Sequence, residues 1–196
     1  MALKLARILT AFAIALGASA AHAQFDGIFF GAGMGLYKAT IQIPDSFTFG
    51  NDKHTAGLNL DAGYGRSFGD FNLAGELRYA NEIGKVDLSA FSTSAKLRNA
   101  WSVSVLPGYK FGNAALLFAR LGYTRAELTG SFLDPDSSKT HTGWLWGLGA
   151  KGAFSRNLAL TIEYQLYDLK REDYAVSGPL QPASTGVVVG VQYTLR

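Results

Sequence analysis

The chain has no cysteine, so neither a disulfide framework nor a thiolate metal site can organise it. Proline is scarce, at five residues in 196. Beyond residue 23 no stretch is long and apolar enough for a transmembrane helix. Glycine is plentiful, at 23 residues, but it follows no Gly-x-y period, which excludes a collagen-like rod. A formal charge of +3 gives nucleic-acid binding no electrostatic support. Only three histidines occur, and they are scattered, so no metal cluster and no cofactor is expected. A helical hydrophobic stripe is also missing from the whole stretch after residue 24.

The first 23 residues read as a secretory signal. Lys4 and Arg7 form a basic start, residues 8–16 a short apolar run, and Ala21-His22-Ala23 a small-x-small cleavage site. Removing Lys4 and Arg7 lowers the basic count from 18 to 16 against 15 acids, so residues 24–196 are expected to carry only about +1.

Those residues show a period of two. In 97–111 the odd positions Trp101, Val103, Val105, Tyr109 and Phe111 are apolar, while Ser102, Ser104 and Lys110 alternate with them. The same alternation sets Leu73, Leu77 and Tyr79 against Glu76 and Arg78. It also sets Leu160, Ile162 and Tyr164 against Glu163, and Val187, Val189 and Val191 against Gln192. Side chains alternate across a strand, so each segment has one apolar face and one polar or small face. Tight turns fall at Gly69, Gly112 and Ser155, each 43 residues after the one before. Longer polar stretches at 42–54, 84–96, 129–140 and 172–184 alternate with them. The expectation is an all-β fold: one eight-stranded antiparallel up-and-down transmembrane β-barrel, with strands at 26–41, 55–68, 71–83, 97–111, 114–128, 141–154, 158–171 and 185–196. Short turns and both termini then face the periplasm.

The charges decide between a soluble and a membrane barrel. They sit mid-strand, opposite continuous apolar faces, so the outside is the greasy side. Phe68, Phe71, Tyr109, Phe111, Phe154 and Tyr193 collect near the short turns. Tyr79, Trp101, Tyr123, Trp144 and Tyr167 collect towards the long stretches, although Tyr167 breaks the facing pattern. Two aromatic belts bracketing an apolar band suit a lipid bilayer.

Residues 143–168, reading GWLWGLGAKGAFSRNLALTIEYQLYD, resemble the sixth strand, turn and seventh strand of the small outer-membrane β-barrel family. That family includes the OmpA membrane domain, OmpX and the opacity and porin-like proteins. FFGAGMG at 29–35 is similar to its first strand and GVVVGVQY at 186–193 to its last. The resemblance implies an integral protein of the bacterial outer membrane, inserted by the outer-membrane assembly machinery. That machinery reads a C-terminal strand usually ending in an aromatic residue; here Tyr193 fits, but the chain ends in Arg196.

Four constellations are candidates for function. Glu76, Arg78, Arg120, Lys151 and Glu163 should project into a lumen narrow enough to be filled by side chains. They form either a structural salt-bridge plug or a gate for ions or small solutes. Lys38, Lys96, Arg98, Arg125, Lys170 and Arg171 lie at upper strand ends, at the height of lipopolysaccharide phosphates, and are the expected lipid contacts. His141, with Ser137, Ser138, Asp134 and Asp136 near it in sequence, is the best material for a lipid A-modifying enzyme. Because it lacks the His-x-Ser pattern of such deacylases, no catalytic residue is expected. Gly31, Gly33 and Gly35 echo a nucleotide-binding run but lie within a strand rather than before a helix. The leading reading is a non-enzymatic structural protein whose four loops meet an extracellular or host ligand.

Overall fold

The computed structural model describes residues 25–43, 47–50, 54–88, 93–112, 114–130, 138–174 and 178–195. The leader expected at 1–23 lies outside these. Among the described residues there are ten strands: β1 (Gly27–Ile43), β2 (Phe47–Gly50), β3 (Thr55–Phe68), β4 (Phe71–Leu88), β5 (Thr93–Phe111), β6 (Ala115–Gly130), β7 (Ser138–Ala153), β8 (Leu158–Leu169), β9 (Glu172–Tyr174) and β10 (Gly178–Thr194). Eight of them, in the order β1-β3-β4-β5-β6-β7-β8-β10, form an antiparallel sheet that closes on itself through β1 and β10. The short β2 pairs antiparallel with the upper end of β1, and β9 with the upper end of β10. This is the all-β, eight-stranded up-and-down barrel that the period-two pattern predicts.

Closure follows from the physics of the two faces. Outward positions carry Met34, Leu36, Leu58, Leu60, Leu77, Val103, Leu121, Leu148 and Val189, all substantially exposed. Such a surface is stable only in hydrocarbon, where every backbone N–H and C=O must be paired internally. A closed ladder does that without leaving an edge. At the lower end the strands reverse sharply. Gly69 (φ 65°) and Gly112 (φ 62°) hold left-handed conformations that suit glycine. The Asp70 carbonyl accepts from Lys110 N–H at 2.7 Å, tying two adjacent turns together.

The upper ends differ from the sequence expectation. The stretches read as loops at 84–96 and 172–184 are largely strand, because β4 runs to Leu88, β5 begins at Thr93 and β10 begins at Gly178. β6 and β7 likewise reach Gly130 and Ser138, past the expected 128 and 141. Pairing continues where the outward face turns polar, and a polar outward face reads as loop. Two irregularities hide the continuity further. Register shifts between Glu82 and Gly84 and between Arg98 and Trp101 reverse which parity faces inward. Below them Ala80 and Ala100 are buried; above them Ile83 and Leu97 are. Asn99 takes up the second shift at φ 51°, a conformation that Asn tolerates better than most residues.

Candidate functional site

The barrel interior is the most chemically distinctive region. It is layered from bottom to top. Phe25, Leu116 and Ala159 pack across the lower mouth. Phe29, Ala74, Leu106 and Phe118 form the next layer. Charged residues follow, then a polar layer, then an apolar cluster that includes Ile41, Ile83, Val86, Leu97, Leu128 and Leu145.

The charged layer contains Asp61 from β3, Glu76 and Arg78 from β4, Arg120 from β6, Lys151 from β7 and Glu163 from β8. Glu76 and Arg78 share a face because they are two residues apart on one strand. Arg78 meets all three carboxylates: Nη2 lies 3.5 Å from Asp61 Oδ1, Nε 3.1 Å from Glu76 Oε1, and Nη1 3.1 Å from Glu163 Oε2. Arg120 Nη1 lies 2.8 Å from Glu76 Oε1, and its Nη2 donates to Glu163 Oε2 at 3.2 Å. Arg120 Nε donates to Glu163 Oε1 as well, so that pair is two-pronged. Lys151 behaves differently. Its Nζ donates to Gln192 Oε1 at 2.7 Å and lies 4.8 Å from the Phe29 ring centre and 5.2 Å from that of Phe118. Three acids face three bases, so the layer is formally neutral.

Space for this network is made by glycine. A Cβ on Gly31 would lie 2.2 Å from Asp61 Oδ2, and one on Gly147 would lie 2.6 Å from Glu163 Oε1. The void left among the charged side chains is about 10 Å³, room for roughly one water molecule. Above it, Tyr37 donates to Asn59 Oδ1 at 2.8 Å and Tyr167 to Gln165 Oε1 at 3.1 Å. The two tyrosine rings meet edge to face, with centres 6.1 Å apart. Tyr167 therefore belongs to the lumen and not to the upper aromatic belt. Nearer the top, Ser184 Oγ donates to the carbonyl of Ile83 and holds the upper arm of β4 against β10.

The structure brings Glu76, Arg78, Arg120 and Glu163 into contact. Lys151 lies beside them and makes its direct polar contact with Gln192. Asp61, whose parity on β3 predicts an inward side chain, contacts Arg78, and Gln192, inward on β10 by the same alternation, joins the site. The polar tier of Tyr37, Asn59, Gln165 and Tyr167 escaped the sequence reading because tyrosine on a barrel strand suggests an interface anchor.

The basic rim does not form one cluster. Lys38 is on β1 opposite Thr185, and Lys96 is on β5 between Lys85 and Thr129. Arg98 has Glu82 and Glu127 as its cross-strand neighbours. Arg125 has Trp101 and Thr142. Lys170 and Arg171 are exposed between β8 and β9. His141 is buried at the top of β7, with Nδ1 3.0 Å from the Lys170 carbonyl oxygen. Its sequence neighbours Asp134, Asp136 and Ser137 lie outside the described residues.

Comparisons with known proteins address the whole barrel. No curated protein matches the chain. Solved structures similar to it include the attachment invasion locus protein Ail of Yersinia pestis, at 15% identity over 86% of this chain and 100% of that one, with a TM-score of 0.51. Neisserial surface protein A is 20% identical over 86% of this chain and 97% of its own, with a TM-score of 0.52. OprG of Pseudomonas aeruginosa is 13% identical over 90% and 99%, also at 0.52. These identities support a shared fold and nothing finer. The outer membrane protein beta-barrel domain model matches residues 8–194. With greasy exterior, closed ladder and filled interior agreeing with that match, the chain belongs to the outer-membrane β-barrel domain family and is an integral protein of the bacterial outer membrane.

Proposed function

We propose that the protein is a non-enzymatic structural and surface-interaction barrel, with its termini and short turns in the periplasm and its extended upper strands outside. The observation that carries this reading is the filled lumen. Apolar layers close it above and below the charged tier, and about 10 Å³ is open between the charges. A permeating ion would need a continuous wet path, and a tier this tight offers none at rest. The upper strands then become the part available to an extracellular or host ligand. Lipopolysaccharide is the proposed lipid partner, and the outer-membrane assembly machinery the partner during insertion.

The test is conductance of the refolded protein in a planar bilayer, beside Glu76→Ala and Arg120→Ala. The expected result is a silent bilayer for the wild type, with folding verified by heat-modifiable mobility on a gel. Reproducible small openings that shift with either substitution would replace this reading with a gated channel. One observation favours that second reading: Glu76 and Glu163 each contact both Arg78 and Arg120, so partners could exchange without leaving a carboxylate alone.

A further inference from the structure

The two aromatic belts are not equivalent. The lower one spans five neighbouring strands, with Phe30 on β1, Phe68 on β3, Phe71 on β4, Tyr109 and Phe111 on β5 and Tyr193 on β10, all exposed. The rings of the upper one that meet their cross-strand neighbours lie on four consecutive strands. Tyr79, Trp101, Tyr123 and Trp144 come from the consecutive strands β4, β5, β6 and β7. Tyr79 and Trp101 rings are 4.9 Å apart, and Tyr123 and Trp144 rings 5.9 Å apart. On the other side the outward positions near this height are Leu166, Val187, Leu36 and Leu58. Tyr37 and Tyr167 of that side point into the lumen, whereas Tyr164 on β8, paired in register with Val187, faces outward.

Arg125 stands at the upper edge of this platform, in register with Trp101. It is exposed, follows Tyr123 on the same face of β6, and is paired in register with Trp101 on β5 and Thr142 on β7. Its side chain reaches the Thr140 hydroxyl at 3.5 Å. Among the described residues no carboxylate lies within ion-pair distance of it, and neither cross-strand neighbour is acidic. Arg98, close by, makes no ion pair among the described residues either, but both of its cross-strand neighbours in register, Glu82 and Glu127, are acidic. Register thus separates two arginines that sequence position alone grouped together.

We infer that Arg125, with the Thr140 and Thr142 hydroxyls and the Trp101–Tyr123–Trp144 surface beneath it, is a binding site for the phosphate of an outer-leaflet phosphoglycolipid whose acyl chains lie on the aromatic face. A planar guanidinium takes two phosphate oxygens at once. Indole and phenol rings prefer the depth where acyl chain gives way to headgroup. This rests on the lipid partner proposed above and adds where on the barrel that lipid is held.

The test measures retention of bisphosphorylated lipid A by the folded protein in detergent, using native mass spectrometry. The arms are wild type, Arg125→Gln, Arg125→Lys, Arg98→Gln and a variant with all six rim cations (Lys38, Lys96, Arg98, Arg125, Lys170, Arg171) changed to Gln. Heat-modifiable mobility reports folding for each, and Arg125 is exposed, so its loss leaves the core intact. Arg125→Gln should weaken retention about ten-fold, the scale of one charge-assisted contact, while Arg98→Gln stays within about two-fold. Arg125→Lys should fall between them, and lipid A stripped of phosphate should bind wild type and Arg125→Gln alike. Equal retention by wild type and Arg125→Gln, with loss in the six-fold variant, overturns this site and leaves the lipid partner standing. No retention by the wild type removes both. Displacement of the lipid by millimolar inorganic phosphate would show a bare anion site and overturn the role given to the aromatic face.

Discussion

The charged middle and the apolar top of the lumen are built from the same strands and are equally buried, yet they are held together by different physics. In the middle, Arg78 and Arg120 each touch more than one carboxylate, and each contact requires a particular partner. At the top, Ile83, Leu97, Leu128 and Leu145 need only matched volume. Ion pairs removed from water roughly offset their own desolvation, so the middle adds specificity of arrangement more than stability. The apolar top adds stability and excludes water. The contrast implies that the middle is fragile to loss of one member, whereas the top is fragile to loss of volume.

Arg78→Met should have the largest effect. It leaves Asp61 without its ion-pair partner and takes one cation from Glu76 and Glu163, and breaking a buried pair from one side costs about 3–5 kcal/mol. Unfolding followed by the shift of the folded band with temperature or urea would read this, and Asp61→Asn added to Arg78→Met should recover part of the loss. An unchanged midpoint would mean that the charged tier is wetter than its packing indicates. Leu145→Ala, in the apolar top, should cost roughly 2–5 kcal/mol through the cavity it leaves, while Leu145→Met stays below about 1.5 kcal/mol. If both leucine variants cost the same, volume is not what the top requires. Lys151→Met should come last, at about 1–3 kcal/mol, since the cation touches Gln192 and two rings and its stem is replaced by a side chain of similar length. A Lys151 loss exceeding that of Arg78 would reverse the order and make Lys151 the anchor of the tier.

The fold was legible because facing in a strand is a local property. Leu160, Ile162 and Glu163 announce their faces through two-residue alternation alone, and Gly69 and Gly112 mark turns by conformational need. The lower halves of the strands were read closely for this reason. The upper halves were not: the register shifts beside Gly84 and Asn99 exchange inside for outside, so Ile83 and Leu97 fall out of phase with Ala80 and Ala100. The candidate site was legible as a set of inward charges but not as pairs. That Arg78 reaches Glu163, 85 residues away, depends on barrel curvature and on Gly147 leaving space beside Glu163. Equally, the placing of Arg98 between Glu82 and Glu127 follows from the pairing of three strands and has no signature in any one of them.

The seam between β1 and β10 also sets the order in which the molecule can be made. Its fourteen register pairs, from Phe29 with Thr194 to Gln42 with Gln181, join the two ends of the chain. Every other barrel seam joins strands that follow one another closely, apart from the short β2 and β9 that intervene. The closing seam has the longest loop to close and so forms late. Until it forms, β1 and β10 are two open edges, each carrying a row of unmatched backbone donors and acceptors. A barrel held open at this seam would be a curled sheet with an aggregation-prone rim, and its lifetime would be set by how soon β1 meets the seventeen-residue β10.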